Sequence, residues 1–201
     1  MAARPTTKGE QTREVILTHA LGLATRIGIE GLTIGRLAED LRMSKSGLFA
    51  HFRSKEALQL EMLKLAGARM VDSVVKPALA APRGEPRVRA LFQKWRQWPK
   101  LSGMEGGCFF VAAAAELDDR EGPARDLLVR QQREFLDTVA NVVRTAVQEG
   151  HFRKDLDPEL FTFELFGQLL AYHHAARLLR DPKADARAKR AFEELVERAR
   201  R

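Results

Sequence analysis

Residues Thr33 to Lys55 read TIGRLAEDLRMSKSGLFAHFRSK. Ile34, Leu37, Ala38 and Leu41 fall on one face of a short helix, and Thr33 stands where a capping side chain belongs. A second short helix starts at Ser44 and runs to about Phe49 or Ala50. Ser54 caps a third, longer helix, with Glu56 in the first turn, where the helix dipole favours an acid. Two helices joined by a turn of a few residues form the helix-turn-helix reader, whose second helix enters the major groove of DNA. Leu37, Leu41, Leu48 and Phe52 are its core positions, and Met43 closes the turn. Ser44, Lys45, Ser46, Gly47 and Phe49 are left on or near the surface of the second helix.

The rest of the chain keeps the helical period. Upstream, Ile16, Ala20, Leu23 and Ile27 step by four, three and four; Thr6 or Thr7 would cap that helix and Gly28 would end it. Downstream, Leu58, Met62, Leu65 and Ala66 continue a long helix that should fail by Pro77. Pro82 to Pro86 is a turn. Val88, Leu91, Phe92 and Trp95 mark another helix, ended by Pro99, and a flexible loop follows from Gly103 to Gly107. Phe109 to Leu117 reads as a buried helix. Gly122-Pro123 opens a long helix to about Glu149, and Pro158 opens one to about Arg180 that is apolar on most sides. Asp181-Pro182 breaks it before a charged final helix anchored by Ala191, Phe192, Leu195 and Val196. No strand pattern or repeat stands out, so the expected class is all-α.

Composition agrees with a globular chain. Of 201 residues, 45% are apolar and 30% charged, with a formal charge of +7, a balance that favours an anionic partner. The first sixty residues carry only a small excess of bases, but from Arg42 to Lys55 every formal charge is positive. Arg4 and Lys8 read more simply as a solvated tail than as an arm for the minor groove. A single cysteine, Cys108, excludes an internal disulfide framework and any Cys-rich zinc site. The start Met1-Ala2-Ala3-Arg4-Pro5 lacks the apolar core of a signal peptide. The most apolar stretch, Phe161 to Tyr172, is interrupted by Glu164 and Gln168 and is too short to span a bilayer. The expectation is a soluble, cytoplasmic protein without a membrane partner.

The first sixty residues resemble the TetR/AcrR family of one-component transcriptional regulators. The resemblance lies in the amphipathic helix to Arg26, then Gly28, Gly31-Leu32-Thr33, Ile34, Leu37-Ala38, Met43-Ser44-Lys45, Gly47-Leu48-Phe49, His51-Phe52 and Ser54-Lys55-Glu56. Beyond them the chain is similar only in its helices. The resemblance implies a three-helix DNA-binding domain over residues 1–55 and a helical effector-binding and dimerisation domain over 56–201. It implies that Thr33, His51 and Lys55 touch phosphate and that Ser44 caps the reading helix. Lys45, Ser46 and Gly47 would face the groove, with Lys45 and Ser46 as the base-edge candidates. Phe49 stands where the family often has Tyr, so a ring contact with a thymine methyl would replace a hydroxyl contact. Ala50 replaces another frequent aromatic residue. Arg42 takes a turn position where glycine is common; a left-handed residue there costs about 1–2 kcal/mol, while its charge adds to the DNA-facing set. Gly35 inside the first short helix costs about 1 kcal/mol relative to Ala.

The same resemblance implies an effector pocket, probed by Met70, Phe92, Trp95, Trp98, Met104, Phe109 and Phe110, although ordinary core packing explains each of these as well. It also implies a homodimer through a four-helix bundle, with Val139, Val143, Leu165, Leu169 and Tyr172 at the seam. Cys108, followed by Phe109-Phe110-Val111-Ala112, reads as a buried inert thiol rather than a redox sensor. His173 and His174 point about 100° apart on a helix, which disfavours a shared metal, and His19 reads as structural or solvent-facing. No phosphate loop, nucleophile elbow or zincin motif is present, so neither catalytic residues, cofactor nor metal is expected. The resulting expectation is a homodimeric repressor, in the bacterial cytoplasm, released from a palindromic operator in double-stranded DNA by an apolar or aromatic small molecule. The alternatives are a non-specific DNA-binding protein, a helical enzyme and a protein-interaction module.

Overall fold

The computed structural model describes residues 8–101 and 103–200, Lys8 by its backbone alone. The expected caps Thr6 and Thr7, the tail residue Arg4 and the Lys8 side chain lie outside the described residues. Among the described residues the fold is all-α, as the sequence implies. The helices are α1 (Lys8–Ile27), α2 (Ile34–Asp40), α3 (Lys45–His51), α4 (Lys55–Met70), α5 (Lys76–Leu79), α6 (Glu85–Gln97), α7 (Phe109–Leu117), α8 (Pro123–Gln148), α9 (Pro158–Arg177) and α10 (Ala184–Arg200). A π-helical turn, Val71–Val75, joins α4 to α5, and a 3₁₀ turn, Trp98–Lys100, follows α6. The helical path therefore continues through Pro77 rather than failing there. The proline lacks an N–H and its ring crowds the preceding turn, and the wider π turn, with Lys76 N–H donating to the Val71 carbonyl, accommodates it.

The chain packs as two units. Of the described residues, one unit comprises those up to Ala68 together with those of 100–128; the other comprises Arg69–Pro99 and 129–200. In the first, α1 buries Ile16, Ala20, Leu21 and Ala24 and packs against α7. Gly28 ends α1 with φ +84, its N–H donating to the Ala24 carbonyl at 2.9 Å. A Cβ at Gly28 would stand 2.0 Å from a carboxylate oxygen of Glu116, so both the backbone conformation and the close approach require glycine. The expected flexible loop before α7 is docked: the Gly106 N–H donates to Thr25 Oγ1 at 2.9 Å, Met104 is buried, and Gly107 N–H closes a turn onto the Met104 carbonyl.

In the second unit α9 packs against α6 and α10. Phe92 and Phe192 stack with centroids 4.1 Å apart. Glu85, at the start of α6, is buried yet ionised. Burial alone would raise its pKa, but Arg200 and Arg89, whose guanidinium nitrogens lie 2.5 Å and 2.6 Å from its carboxylate, outweigh it and hold the pKa below the ordinary value. The five seam residues expected from the sequence, Val139, Val143, Leu165, Leu169 and Tyr172, are all buried by the chain's own helices. Periodicity marks an apolar face but not what covers it. The apolar side that α9 leaves open runs instead through Leu160, Phe163, Gly167 and Leu170, spaced by three and four, with Phe163 76% exposed.

Candidate nucleic-acid interface

Each boundary of the reading head has a local cause. Thr33 Oγ1 accepts the Arg36 N–H at 3.1 Å and starts α2; Ser44 Oγ accepts the Gly47 N–H at 3.1 Å and starts α3. Between them Arg42 adopts φ +54. Its N–H donates to the Glu39 carbonyl at 3.1 Å, and the Met43 N–H donates to the Ala38 carbonyl at 2.9 Å. This pair of bonds is a Schellman turn, which satisfies the last carbonyls of α2 and turns the chain into α3. Ser54 Oγ accepts the Ala57 N–H at 3.0 Å and starts α4.

Leu37, Leu48 and Phe52 are buried beneath the turn, whereas Leu41 is only partly covered. Thr33, Arg42, Ser44, Lys45, Ser46 and Phe49 are exposed, Phe49 to 51%. Ser44 Oγ and Ser46 Oγ lie 3.2 Å apart. Gly47 is partly buried, and a Cβ there would come within 3.0 Å of Ser44 Oγ, so the capping hydroxyl itself favours glycine at this position.

His51 and Lys55 are partly buried, Lys55 with its ammonium engaged and His51 with its backbone carbonyl engaged. Lys55 Nζ donates to the Glu30 carbonyl at 2.7 Å and to Glu30 Oε2 at 2.9 Å. Glu30 also accepts from Gln59 Nε2 at 2.7 Å and Arg120 Nη1 at 2.9 Å, while its backbone N–H donates to Glu116 at 2.8 Å. The Lys55 hydrogen bond is the main reason that the Glu30 pKa lies below the ordinary carboxylate value; Gln59 and Arg120 add to it against the effect of burial. The backbone carbonyl of His51 accepts from Arg13 Nη1 at 2.5 Å. Arg13, Glu30, Glu116 and Arg120 were not singled out from the sequence. Their partners stand 25 to 90 residues away, and no local spacing marks such pairs.

The expected effector residues are all buried, but they fall in both units: Met104, Phe109 and Phe110 in the first, Met70, Phe92, Trp95 and Trp98 in the second. Phe92 and Trp95 line an apolar crevice between α6, α8 and α9, together with Phe135, Val139, Thr162 and Phe166. Its volume is about 10 Å³, room for about one water. A larger open cleft of about 860 Å³ runs along α1, lined by Glu14, Arg26, Arg36 and Glu105, by the paired His19 and Asp40, and by the apolar Val15, Leu23 and Ile27. Cys108 is buried. Burial foremost, with the charge of Arg177 and then of His174, lowers the pKa of His173 below the ordinary histidine value. Among the described residues no cluster of three His, Cys, Asp or Glu side chains could hold a metal ion, and no helix is long and apolar enough to cross a membrane.

Two family descriptions match the chain. Residues 16–62 match the bacterial regulatory proteins of the tetR family, and residues 84–192 match the tetracycline repressor-like C-terminal domain. Over 46 residues the chain is 46% identical to the class C tetracycline repressor protein of Escherichia coli, a stretch covering 23% of this chain and 21% of that repressor. In overall fold it is similar to a TetR transcriptional regulator from Chloroflexus aurantiacus, with a TM-score of 0.83, 22% identity and 94% of each chain covered. It is also similar to AibR, whose structure holds isovaleryl coenzyme A and operator DNA, with a TM-score of 0.71, 21% identity, and 89% of this chain and 96% of that one covered. The second family description alone spans more than half of the sequence, and with the reading head already built from Thr33, Arg42 and Ser44, the chain belongs to the TetR family of bacterial regulatory proteins.

Proposed function

We propose that this protein is a homodimeric transcriptional repressor that binds a palindromic operator and is released from it by a small apolar molecule. The carrying observation is the face of α3. Ser44, Lys45, Ser46 and Phe49 are exposed on a helix anchored from behind by Leu48, and every formal charge from Arg42 to Lys55 is positive. In this reading residues 1–55 read DNA and 56–201 bind the effector and the second subunit. Lys45 and Ser46 reach base edges, and Phe49 offers its ring to a thymine methyl. Thr33, Arg42, His51 and Lys55 serve phosphates, and Lys55 shares its ammonium between Glu30 and DNA. Gly47 keeps the surface low beside the Ser44 cap.

The open stripe of Leu160, Phe163, Gly167 and Leu170 supports a second copy as the partner of α9, since a twofold interface brings the same surface of each chain together. Two reading heads on a twofold axis require half-sites about 34–36 Å apart. The apolar lining around Phe92 and Trp95 favours an apolar or aromatic effector, and the crevice must open to admit one. AibR, with its acyl coenzyme A and operator, is a precedent for such a pairing in this fold. A coupling free energy of 1–3 kcal/mol would weaken operator binding by roughly 5- to 150-fold. Like other regulators of this kind it would act in the cytoplasm.

The test is selection of bound duplexes from a random DNA pool by the full chain at a stated salt concentration. Enrichment of a palindrome is the expected result. A folded, ligand-free protein that enriches no sequence overturns the reading in favour of non-specific DNA binding.

A further inference from the structure

We propose that Arg13 is a positioning residue for DNA recognition: from α1 it fixes the C-terminal end of the reading helix α3. The inference rests on the assignment of α3 as the helix that enters the groove. That helix has seven residues, and Leu48 is its one buried side chain. A helix of two turns has little cohesion of its own, and its final carbonyls have no partner within the helix. Ser44 holds the N-terminal end. At the other end Arg13 Nη1 donates to the His51 carbonyl at 2.5 Å, where a cation also complements the negative end of the helix dipole. The guanidinium lies 4.7 Å above the ring of Phe52, the residue that caps α3 and enters the core.

Arg13 is itself tethered. Its Nη2 stands 3.2 Å from Glu61 Oε2 on α4, and Glu61 is gripped on its other oxygen by Lys64 at 2.9 Å. The Lys64 hydrogen bond is the largest influence holding Glu61 ionised below the usual carboxylate range; burial opposes it and Arg13 reinforces it. One planar cation thus joins three elements: α1, which carries it; α3, whose end it caps; and α4, which neutralises it. Base reading needs side chains placed to within about 0.5 Å, so loosening one end of a two-turn helix should cost sequence choice before it costs attraction to phosphate.

The experiment uses the full chain with Arg13→Ala and, as a milder change that keeps the arginine, Glu61→Gln. The probes are the duplex that the wild-type protein enriches from the random pool and a scrambled duplex of equal length. Amide exchange is followed in parallel without DNA. For Arg13→Ala, exchange at the end of α3, at Phe52, whose N–H donates to the Leu48 carbonyl at 3.0 Å, should quicken about tenfold while the buried amides of α1 are unchanged. Affinity for the enriched duplex should fall by a similar factor, while scrambled-duplex affinity and the salt slope stay as in the wild type. Glu61→Gln should shift the same readouts in the same direction by less. Weakening of both duplexes with a slope lower by about 0.9 would make Arg13 a phosphate contact and overturn the proposal. Faster exchange throughout the unit, or none at the end of α3, would overturn it as well. If the wild-type protein enriches no duplex, the regulator reading falls on that result, and the exchange measurement alone then decides whether Arg13 holds α3.

Discussion

The ammonium of Lys55 lies 2.9 Å from a carboxylate oxygen of Glu30 and 2.7 Å from the carbonyl of the same residue. The first residue of α4 is thereby bound to the turn between α1 and α2, and a phosphate approaching Lys55 must share it. Lys55→Ala is expected to weaken binding to every duplex by a similar factor and to reduce the salt slope by about 1. Ser46→Ala, on the exposed face of α3, is expected to change preference among duplexes and leave the slope alone. Fluorescence anisotropy across a salt series separates the two. Identical behaviour of both variants on all sequences would refute these roles.

Glu30 gives a dependence on acid. Its carboxylate is held below the ordinary value chiefly by Lys55, so its contribution is complete above the unfolded-state pKa of about 4.3 and is lost as the pH falls toward its lower folded value. Urea midpoints of the wild type and Glu30→Gln should be well separated at neutral pH and converge as the pH falls through the unfolded-state value toward the lower folded one. A gap that persists undiminished to pH 3 would rule out the ionised Glu30 as its source.

Arg42 occupies the left-handed position of the Schellman turn with φ +54. The strain of about 1–2 kcal/mol should be relieved in Arg42→Gly, offset by about 0.4–1 kcal/mol of added unfolded-chain entropy. The melting temperature should rise by about 2–4 °C for each kcal/mol of the difference, and the charge proposed to face DNA is lost. A lower melting temperature would mean that the Arg42 side chain contributes more than its backbone costs.

Phe163 and Leu165 sit two residues apart on α9 in opposite surroundings, the first 76% exposed and the second 2%. Phe163→Glu should leave the helical circular dichroism intact and shift sedimentation toward a monomer. Leu165→Ala should cost about 2–5 kcal/mol of stability, because the cavity opens inside the chain's own core. A Phe163→Glu protein that still sediments as a dimer would place the subunit contact elsewhere.

The elements that were legible in the sequence are those whose causes are local. Thr33, Ser44 and Ser54 cap the helices they were expected to cap, because a capping bond spans only three residues. The left-handed Arg42 was expected only from the resemblance, which puts glycine at this turn position. The face of α9 could not be assigned in this way. Leu165 and Phe163 are equally apolar, and only the positions of α6 and α10 decide which is covered. Arg13 and Glu30 were equally silent, since a charged residue on an amphipathic helix gives no sign of a partner that the fold brings from 25 or 38 residues away.

The reading helix is held from its ends and from behind. Ser44 caps it, Arg13 closes it, and Leu48 alone of its side chains is buried, so Phe49 and Ala50 stand exposed and Ser46 touches only the capping hydroxyl. If α3 reads bases as proposed, mutational drift at Ser46 and Phe49 would change which DNA is addressed at little folding cost. A lineage carrying this head could acquire new target genes by point mutation, and an engineer could diversify the same two positions as a library on an unchanged chassis.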